Sequence, residues 1–189
     1  VATVDVVNET PGPKDITVFY SGDENNPNAT ANATVNIPKY DTPMSIEVAN
    51  STVGNVTTVI VNVPKDVKGN VTVAIDGKTY SVKPVDGKAV FEKIALSEPG
   101  LYQGYLGYLG DGTYNPSNNT IDITVLKIPV DIAIDAGSGK LGDKLRVTVK
   151  VTTKDNSKFN GTVTVKFPDG TTADVDVVDA LQSFDALGP

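Results

Sequence analysis

The chain has 189 residues, no Cys, no His and a net charge of −7. Without Cys, disulfides and thiolate metal sites are excluded, and without His the commonest general base and transition-metal ligand are missing. The acidic balance argues against nucleic acid, which requires clustered Lys and Arg. We therefore expect no cofactor, no metal and no nucleic-acid partner. No apolar run approaches the roughly 20 residues of a membrane helix, so no membrane span is expected in this chain.

The beginning of the chain has the pattern of short strands and turns. Residues 1–7, VATVDVV, predict a strand, and 8–13, NETPGP, predict a turn whose angles Pro and Gly favour. Apolar residues then alternate with polar ones at 16–20 and again at 31–37, on either side of the polar segment 21–30. These segments predict a hairpin.

The middle of the chain predicts a longer series of strands. Alternation or apolar runs favour strands at 44–50, 56–63, 70–75, 78–83 and 88–96. Asp76-Gly77 and Asp86-Gly87 are hairpin signals, because a type I′ turn requires positive φ at both central positions. Residues 99–126 then predict a second hairpin, which contains most of the Tyr residues of the chain.

The second hairpin repeats the first. Four features match between them: Pro99-Gly100 with Pro11-Gly12, Tyr108 with Tyr20, Gly110-Asp111 with Gly22-Asp23, and Pro116 with Pro27. Further on, GTVTVKFPDG at 161–170 matches GNVTVAIDG at 69–77. A repeat of about ninety residues with about seven short strands is typical of an immunoglobulin-type β-sandwich.

We predict an all-β fold of tandem immunoglobulin-like β-sandwiches with out-of-phase ends. Residues 1–38 are the closing strands of one repeat, 39–127 a complete sandwich, and 128–189 the opening strands of the next. Each partial repeat would expose an apolar face and a sheet edge. Two interpretations stay open. The chain is a window of a longer tandem array, or residues 1–38 of one chain complete 128–189 of another as a donor strand pair, giving an open head-to-tail fibre.

Asn-x-Thr triplets are much more frequent than random placement would produce. The eight acceptor residues for N-glycosylation are Asn8, Asn28, Asn32, Asn50, Asn55, Asn70, Asn118 and Asn160. Strand patterning alone could generate some of them, since residues two apart lie on the same face of a strand. Because several fall in predicted loops, we favour a glycosylated, extracellular surface.

Acidic clusters in the sequence are candidate metal or catalytic sites. The acids at 23–24 and Asp111 offer oxygen ligands that suit Ca²⁺, but their spacing matches no calcium loop, so solvated turn residues are the favoured interpretation. The acids within 174–179 are interpreted as charges on a strand edge that resist unwanted pairing. No carboxylate pair lies in an evident apolar setting, and no Ser has a His partner, so we expect no enzyme activity.

Two other possibilities stay open at this level. A Lys–Asn isopeptide crosslink, as in some surface adhesins, would need a buried Lys beside an Asn and an acid. The Tyr residues of the two hairpins, Tyr20, Tyr102, Tyr105, Tyr108 and Tyr114, could form a ligand patch. We favour core and edge positions for them, because a Tyr near this place often anchors the corner of a sandwich through its hydroxyl.

The motifs PGLYQGYLGYLGDGTYNP, VTVAIDGKTYSV and DGKAVFEKIALSEPG resemble the tandem Ig-like repeats of large adhesin-like surface proteins, best known from methanogenic archaea and also found in bacteria. The resemblance covers essentially the whole chain. It implies secretion, tandem arrays and adhesive or stalk roles, and it carries no shared catalytic residues. The Thr-only acceptor triplets also look more archaeal than bacterial.

The first hypothesis is therefore a structural module of a glycosylated extracellular surface or filament protein that polymerises head-to-tail by β-strand complementation. Its partners would be copies of itself or neighbouring repeats, with N-linked glycans at the cell surface. The alternative is an adhesin module whose loops 21–30 and 109–119 recognise a cell-surface glycan or protein. A surface enzyme that depends on Asp111 is the third and least favoured hypothesis.

Overall fold

The computed structural model describes residues 1, 3–7, 10–140, 142, 146–180 and 184–187. These residues form strands and turns without any helix, so the all-β prediction is confirmed. Among them no helix is long and apolar enough to cross a membrane. The chain divides into two compact units, Val1–Leu126 and Lys127–Pro189.

The first strands of the chain are β1, Gly12–Tyr20, and β2, Ala29–Ile37. They pair antiparallel as a two-stranded sheet of their own. The strand predicted at 1–7 is wrong for the described residues 1 and 3–7, which have no strand assignment. Alternation of apolar residues is not sufficient for a strand, because the backbone N–H and C=O groups of a strand must also form hydrogen bonds with a neighbouring strand.

Eight strands follow within the same unit. They are β3 Ser45–Val48, β4 Ser51–Thr52, β5 Val56–Asn62, β6 Val71–Ile75, β7 Lys78–Val82, β8 Lys88–Ala95, β9 Gly100–Tyr108 and β10 Ser117–Leu126. One sheet has the order β3-β5-β8, and the other has the order β4-β10-β9-β6-β7. The predicted turn at Asp76-Gly77 joins β6 to β7, and both of its residues have positive φ, at 51° and 68°.

The two sheets bury one apolar core between them. Its fully covered side chains include Val59 and Phe91 from the first sheet and Val73, Leu106 and Ile123 from the second. Each such side chain contributes about 1.5–3 kcal/mol by leaving water. The alternation of buried and exposed residues along β5, β6, β9 and β10 places one face of each sheet on this core. The arrangement is compatible with a β-sandwich.

A short parallel pairing joins β4 to β10. Val125 and Leu126 of β10 lie beside Ser51 and Thr52 of β4, and the Val53 N–H donates to the Leu126 carbonyl at 3.0 Å. A two-residue strand carries no periodicity, so sequence pattern could not reveal it. The pairing adds β4 at the edge of the sheet, beside β10.

The second unit contains β11 Val130–Ala136, β12 Arg146–Thr153, β13 Phe159–Lys166, β14 Thr172–Ala180 and β15 Phe184–Leu187. The order β11-β12-β15 parallels β3-β5-β8, and the pair β13-β14 parallels β6-β7. Val149, Val151 and Val177 are buried, whereas Ile132 and Ile134 of β11 are well exposed. Among the described residues, the second unit has no counterpart of the β9-β10 hairpin.

Candidate functional site

The hairpins β1-β2 and β9-β10 have the same strand register and the same loop length. Tyr20 and Tyr108 end their first strands, and the connecting loops are residues 21–28 and 109–116. This register aligns Asn28, and not Pro27, with Pro116. The proline match expected from the sequence is therefore shifted by one position.

The two loops also share one hydrogen-bonded turn. Asp23 Oδ1 accepts hydrogen bonds from the backbone N–H groups two and three residues later, both at 2.8 Å. Asp111 Oδ1 accepts the same pair, at 2.7 and 2.8 Å. The preceding Gly22 and Gly110 have φ of 84° and 82°, a region that glycine adopts without the Cβ clash of other residues. The repeated Gly-Asp motif therefore encodes a repeated loop structure.

Asp111 additionally connects its loop to the segment before β6. Its Oδ2 accepts a hydrogen bond from the Lys68 N–H at 2.9 Å. Partial burial alone would raise the pKa of Asp111, but the N–H groups of Lys68, Tyr114 and Thr113 outweigh burial and hold this pKa well below its usual range. The carboxylate thus acts as a charged acceptor that fixes the loop against the sandwich.

Asp23 has a different partner for its second oxygen. Its Oδ2 accepts a hydrogen bond of 2.6 Å from the Tyr20 hydroxyl. This bond, followed by those from Asn25 and Asn26, lowers the pKa of Asp23 to about 2, and it raises the pKa of Tyr20. The turn of the first hairpin is therefore formed within the hairpin itself.

The apolar faces of the two hairpins differ strongly in exposure. In the second hairpin, Leu106 is 1% exposed and Tyr108 is 2% exposed, because both side chains enter the sandwich core. Val18 and Tyr20 hold the same register positions in the first hairpin, but they are 61% and 44% exposed. The face of β1-β2 that carries Ile16, Val18, Tyr20, Val35 and Ile37 is the candidate functional site, named here the apolar hairpin face.

Loop 109–116 also holds the connecting segment that follows the first hairpin. The Tyr40 N–H donates to the Thr113 carbonyl at 2.9 Å, and the Tyr40 carbonyl accepts from the Asn115 N–H at 2.8 Å. The rings of Tyr40 and Tyr114 lie 5.9 Å apart, and the Tyr114 hydroxyl donates to Asp66 at 2.6 Å. That bond is the main reason why the pKa of Tyr114 is raised to about 12.

Two tyrosines of the second hairpin have structural roles. Tyr114 is held by its hydrogen bond to Asp66, and Tyr108 is buried in the core. Tyr102 has a structural role as well: its hydroxyl donates to the Glu98 carbonyl at 3.1 Å and accepts from the Glu98 N–H at 3.2 Å. Tyr105 and Tyr20 are exposed. Sequence reasoning missed Tyr40 and the backbone of Lys68, because their partners lie more than forty positions away in the chain.

Seven of the eight predicted glycosylation acceptors lie in described parts of the chain, and all seven are exposed: Asn28, Asn32, Asn50, Asn55, Asn70, Asn118 and Asn160. Asn8 lies outside the described residues. The hydroxyls of the downstream Thr57 and Thr72 donate to carbonyls inside the fold, at 3.1 Å each. The acceptors at Asn55 and Asn70 are thus less accessible in the folded chain than Asn28, which lies in a loop.

The acidic residues considered as metal ligands are not clustered in the structure. Within the described ranges, no group of three or more acidic side chains is arranged to hold a metal ion. The carboxylate oxygens of Asp23 and Asp111 accept hydrogen bonds from nearby N–H groups, and Glu24 is exposed. Asp174 and Asp176 lie exposed along β14, where Asp176 accepts from the Thr162 hydroxyl at 2.8 Å.

No family model matches the sequence, and no curated protein shows significant similarity to it.

Proposed function

We propose that this chain is a structural module of a glycosylated extracellular surface or filament protein, built from Ig-like sandwiches and joined head-to-tail to copies of itself by β-strand complementation. One observation carries the proposal. The first hairpin reproduces the closing hairpin of the sandwich in register, loop and turn, yet its apolar face is uncovered.

The energetic argument is the cost of leaving that face in water. Val18 and Tyr20 occupy the positions of residues that are almost fully buried in the sandwich. Burying a side chain of this kind is worth about 1.5–3 kcal/mol, and an exposed sheet edge favours pairing with another chain. A partner that covers the hairpin would therefore gain both apolar burial and backbone hydrogen bonds.

The Ig-like assignment is supported by two features of the first unit. Its two sheets share one core. The Tyr102 hydroxyl bonds the backbone of Glu98, four residues upstream, in the way that a corner tyrosine does in immunoglobulin sandwiches. Such modules resist extension through their backbone ladders, which suits a stalk or filament.

The extracellular, glycosylated setting is supported by the exposure of every described acceptor Asn. Along β2, the acceptor Asn32 alternates with Ala31 and Ala33, so it lies on the face opposite Val35 and Ile37. A glycan at Asn32 would project away from the apolar hairpin face. Glycosylation and strand complementation are therefore sterically compatible in this proposal.

The test is the assembly state of the 189-residue chain. Light scattering should show a mass that rises with concentration, and electron microscopy should show unbranched fibres. Val18→Asp should abolish assembly, because it places a charge on the apolar hairpin face, whereas Thr17→Asp on the opposite face should not. A wild-type chain that stays monomeric at all concentrations would overturn the proposal.

A further inference from the structure

We infer that the partner of the apolar hairpin face is the open edge of β13 in a second copy, and that β1 pairs with it antiparallel with Val18 opposite Val165 and Tyr20 opposite Val163. The open edge of β13 means the side of Val163–Lys166 that faces away from β14. This inference rests on the proposed head-to-tail joining and adds the strand, the register and the contact residues.

The evidence begins with the position of β6 in the complete sandwich. β6 has β7 on one side and β9 on the other. β13, its counterpart in the second unit, has only β14 as a neighbouring strand among the described residues. Val71 and Val73 of β6 are fully buried, whereas their counterparts Val163 and Val165 are half-buried. β13 therefore lacks the neighbour that completes β6.

The register follows from the pairing of β6 with β9. Val71 lies opposite Tyr108, and Val73 lies opposite Leu106. The shared sequence GxVTV equates Val71 and Val73 with Val163 and Val165. The hairpin registers in turn equate Tyr108 and Leu106 with Tyr20 and Val18. Together, the two equivalences place Val163 opposite Tyr20 and Val165 opposite Val18, and they leave no choice of register.

A pair of glycines supports this register independently. A Cβ added at Gly69, just before β6, would lie 2.8 Å from Cε2 of the buried Tyr108 ring, so Tyr108 requires glycine there. Gly161 holds the equivalent position beside Val163, yet a Cβ added to it would meet no described atom within 4 Å. Gly161 therefore leaves open the space that the Tyr108 ring occupies beside Gly69, and in the proposed pairing Tyr20 fills it.

The first hairpin is already shaped for this contact. Its loop has the turn of loop 109–116, closed by Asp23 in place of Asp111. A binding segment that is ordered beforehand loses less conformational entropy on association. Two positions must adapt. Phe19 replaces Gly107, whose added Cβ would lie 3.0 Å from the Thr72 hydroxyl. The counterpart, Thr164, must rotate its side chain to admit Phe19. Ile16 replaces Gly104, whose added Cβ would lie 2.7 Å from the Ala74 carbonyl, so the pairing must open beyond Val165.

A second copy is the occupant because one chain carries both complementary surfaces. The apolar hairpin face and the open edge of β13 are different surfaces, so their contact is heterologous and leaves one of each at the ends of any open assembly. The same pairing within a single chain would instead give closed monomers. The experiment separates these two outcomes.

Engineered cysteines test the register, and the natural chain has no Cys to interfere. In Val18→Cys/Val165→Cys, directly opposed residues lie about 4.5–5.5 Å apart, within the range that a disulfide bridges. The matched control is Val18→Cys/Val163→Cys, a diagonal pair about 7–8 Å apart. Under mild oxidation the first variant should give a ladder of covalent oligomers on a non-reducing gel, and the control should give at least tenfold less.

The outcomes separate the register from the proposed function. A ladder from the control in place of the test pair would overturn the register, and a covalently closed monomer would overturn the second copy as occupant. Neither of these results decides whether the chains join head-to-tail. That question is tested separately by light scattering on the unmodified chain. If that chain is monomeric, the proposed function itself fails.

Gly161→Ala provides a second measurement without cysteine. The added methyl should leave the strand content of the chain unchanged in circular dichroism, but it should weaken assembly about tenfold by occupying the space of the Tyr20 ring. Gly137→Ala is the control, because its Cβ would meet only the Arg146 carbonyl at an ordinary 3.6 Å. Equal assembly of the Gly161→Ala variant and the wild type would contradict the placement of Tyr20.

Discussion

The carboxylate of Asp111 accepts a hydrogen bond of 2.9 Å from the backbone N–H of Lys68, across 43 positions of the chain. The same carboxylate closes its own loop through Thr113 and Tyr114. One side chain therefore fixes both the shape of loop 109–116 and its position against the segment before β6.

Replacing Asp111 should destabilise that sandwich. Asp111→Ala removes three N–H acceptor contacts, and we expect the free energy of unfolding to fall by about 1–2 kcal/mol, a value reduced by the partial exposure of the site. Asp122→Ala is the control, because Asp122 is exposed on β10 and, within the described part of the chain, accepts a side-chain hydrogen bond only from Gln103 Nε2, at 3.3 Å. Urea denaturation followed by circular dichroism measures both variants. Equal losses would contradict the role assigned to Asp111.

The contribution of Asp111 should depend on pH in a defined direction. Its folded pKa lies below the ordinary value of 3.8. The charged form is thus favoured by folding, and the resulting stability is present above about pH 5 and is lost as the pH falls through the folded pKa. The difference in unfolding free energy between wild type and Asp111→Asn should be constant from neutral pH to about pH 5 and should shrink in stronger acid. A difference that persists unchanged at about pH 2 would refute this account.

Gly69 should be intolerant of even the smallest side chain. Gly69→Ala forces a methyl against the buried Tyr108 ring, where Cβ would lie 2.8 Å from Cε2. We expect a loss of about 1–3 kcal/mol, typical of an overpacked core. Gly112→Ala, in open space on loop 109–116, should change stability by less than about 0.5 kcal/mol. Thermal or urea unfolding of the two variants decides the matter, and similar stabilities would mean that Tyr108 can move aside.

Glycan occupancy should follow the accessibility of each acceptor triplet. Asn28 lies in a loop with an exposed Thr30, so we expect it to carry sugar in material from the native source. Asn70 should be less occupied, because its side-chain amide donates to Ser81 at 3.1 Å and its Thr72 hydroxyl donates to Gly107. Mass spectrometry of glycopeptides measures the two occupancies, with Asn28→Gln as the control for assignment. Sugar at Asn70 but not at Asn28 would contradict the expected order.

The sequence predicts the strands and the repeated hairpin well, because both depend on local pattern. Alternation located β5 and β6, and the motif shared by Gly22-Asp23 and Gly110-Asp111 revealed two loops of one structure. The Ig-like tandem arrangement and the glycosylation of the acceptor residues stay predictions.

Contacts between distant residues could not be predicted in this way. The parallel pairing of Ser51 with Val125 and the binding of Tyr40 by loop 109–116 join segments about seventy positions apart, and neither leaves a periodic signal. The alignment of Asn28, and not Pro27, with Pro116 was also beyond a comparison of residue types. Matching residue types suggested Pro27, whereas backbone pairing across the hairpin decides the register.

The presence of both the apolar hairpin face and the open edge of β13 on every copy has a consequence for how the proposed fibre would grow. Every added copy covers one hairpin and one β13 edge and presents the same two surfaces again. The growing tip is then chemically the same at every length, so each addition has the same equilibrium constant and no length is preferred. Fibre length would be broadly distributed and set by subunit concentration, unless a separate chain with only one of the two surfaces caps an end.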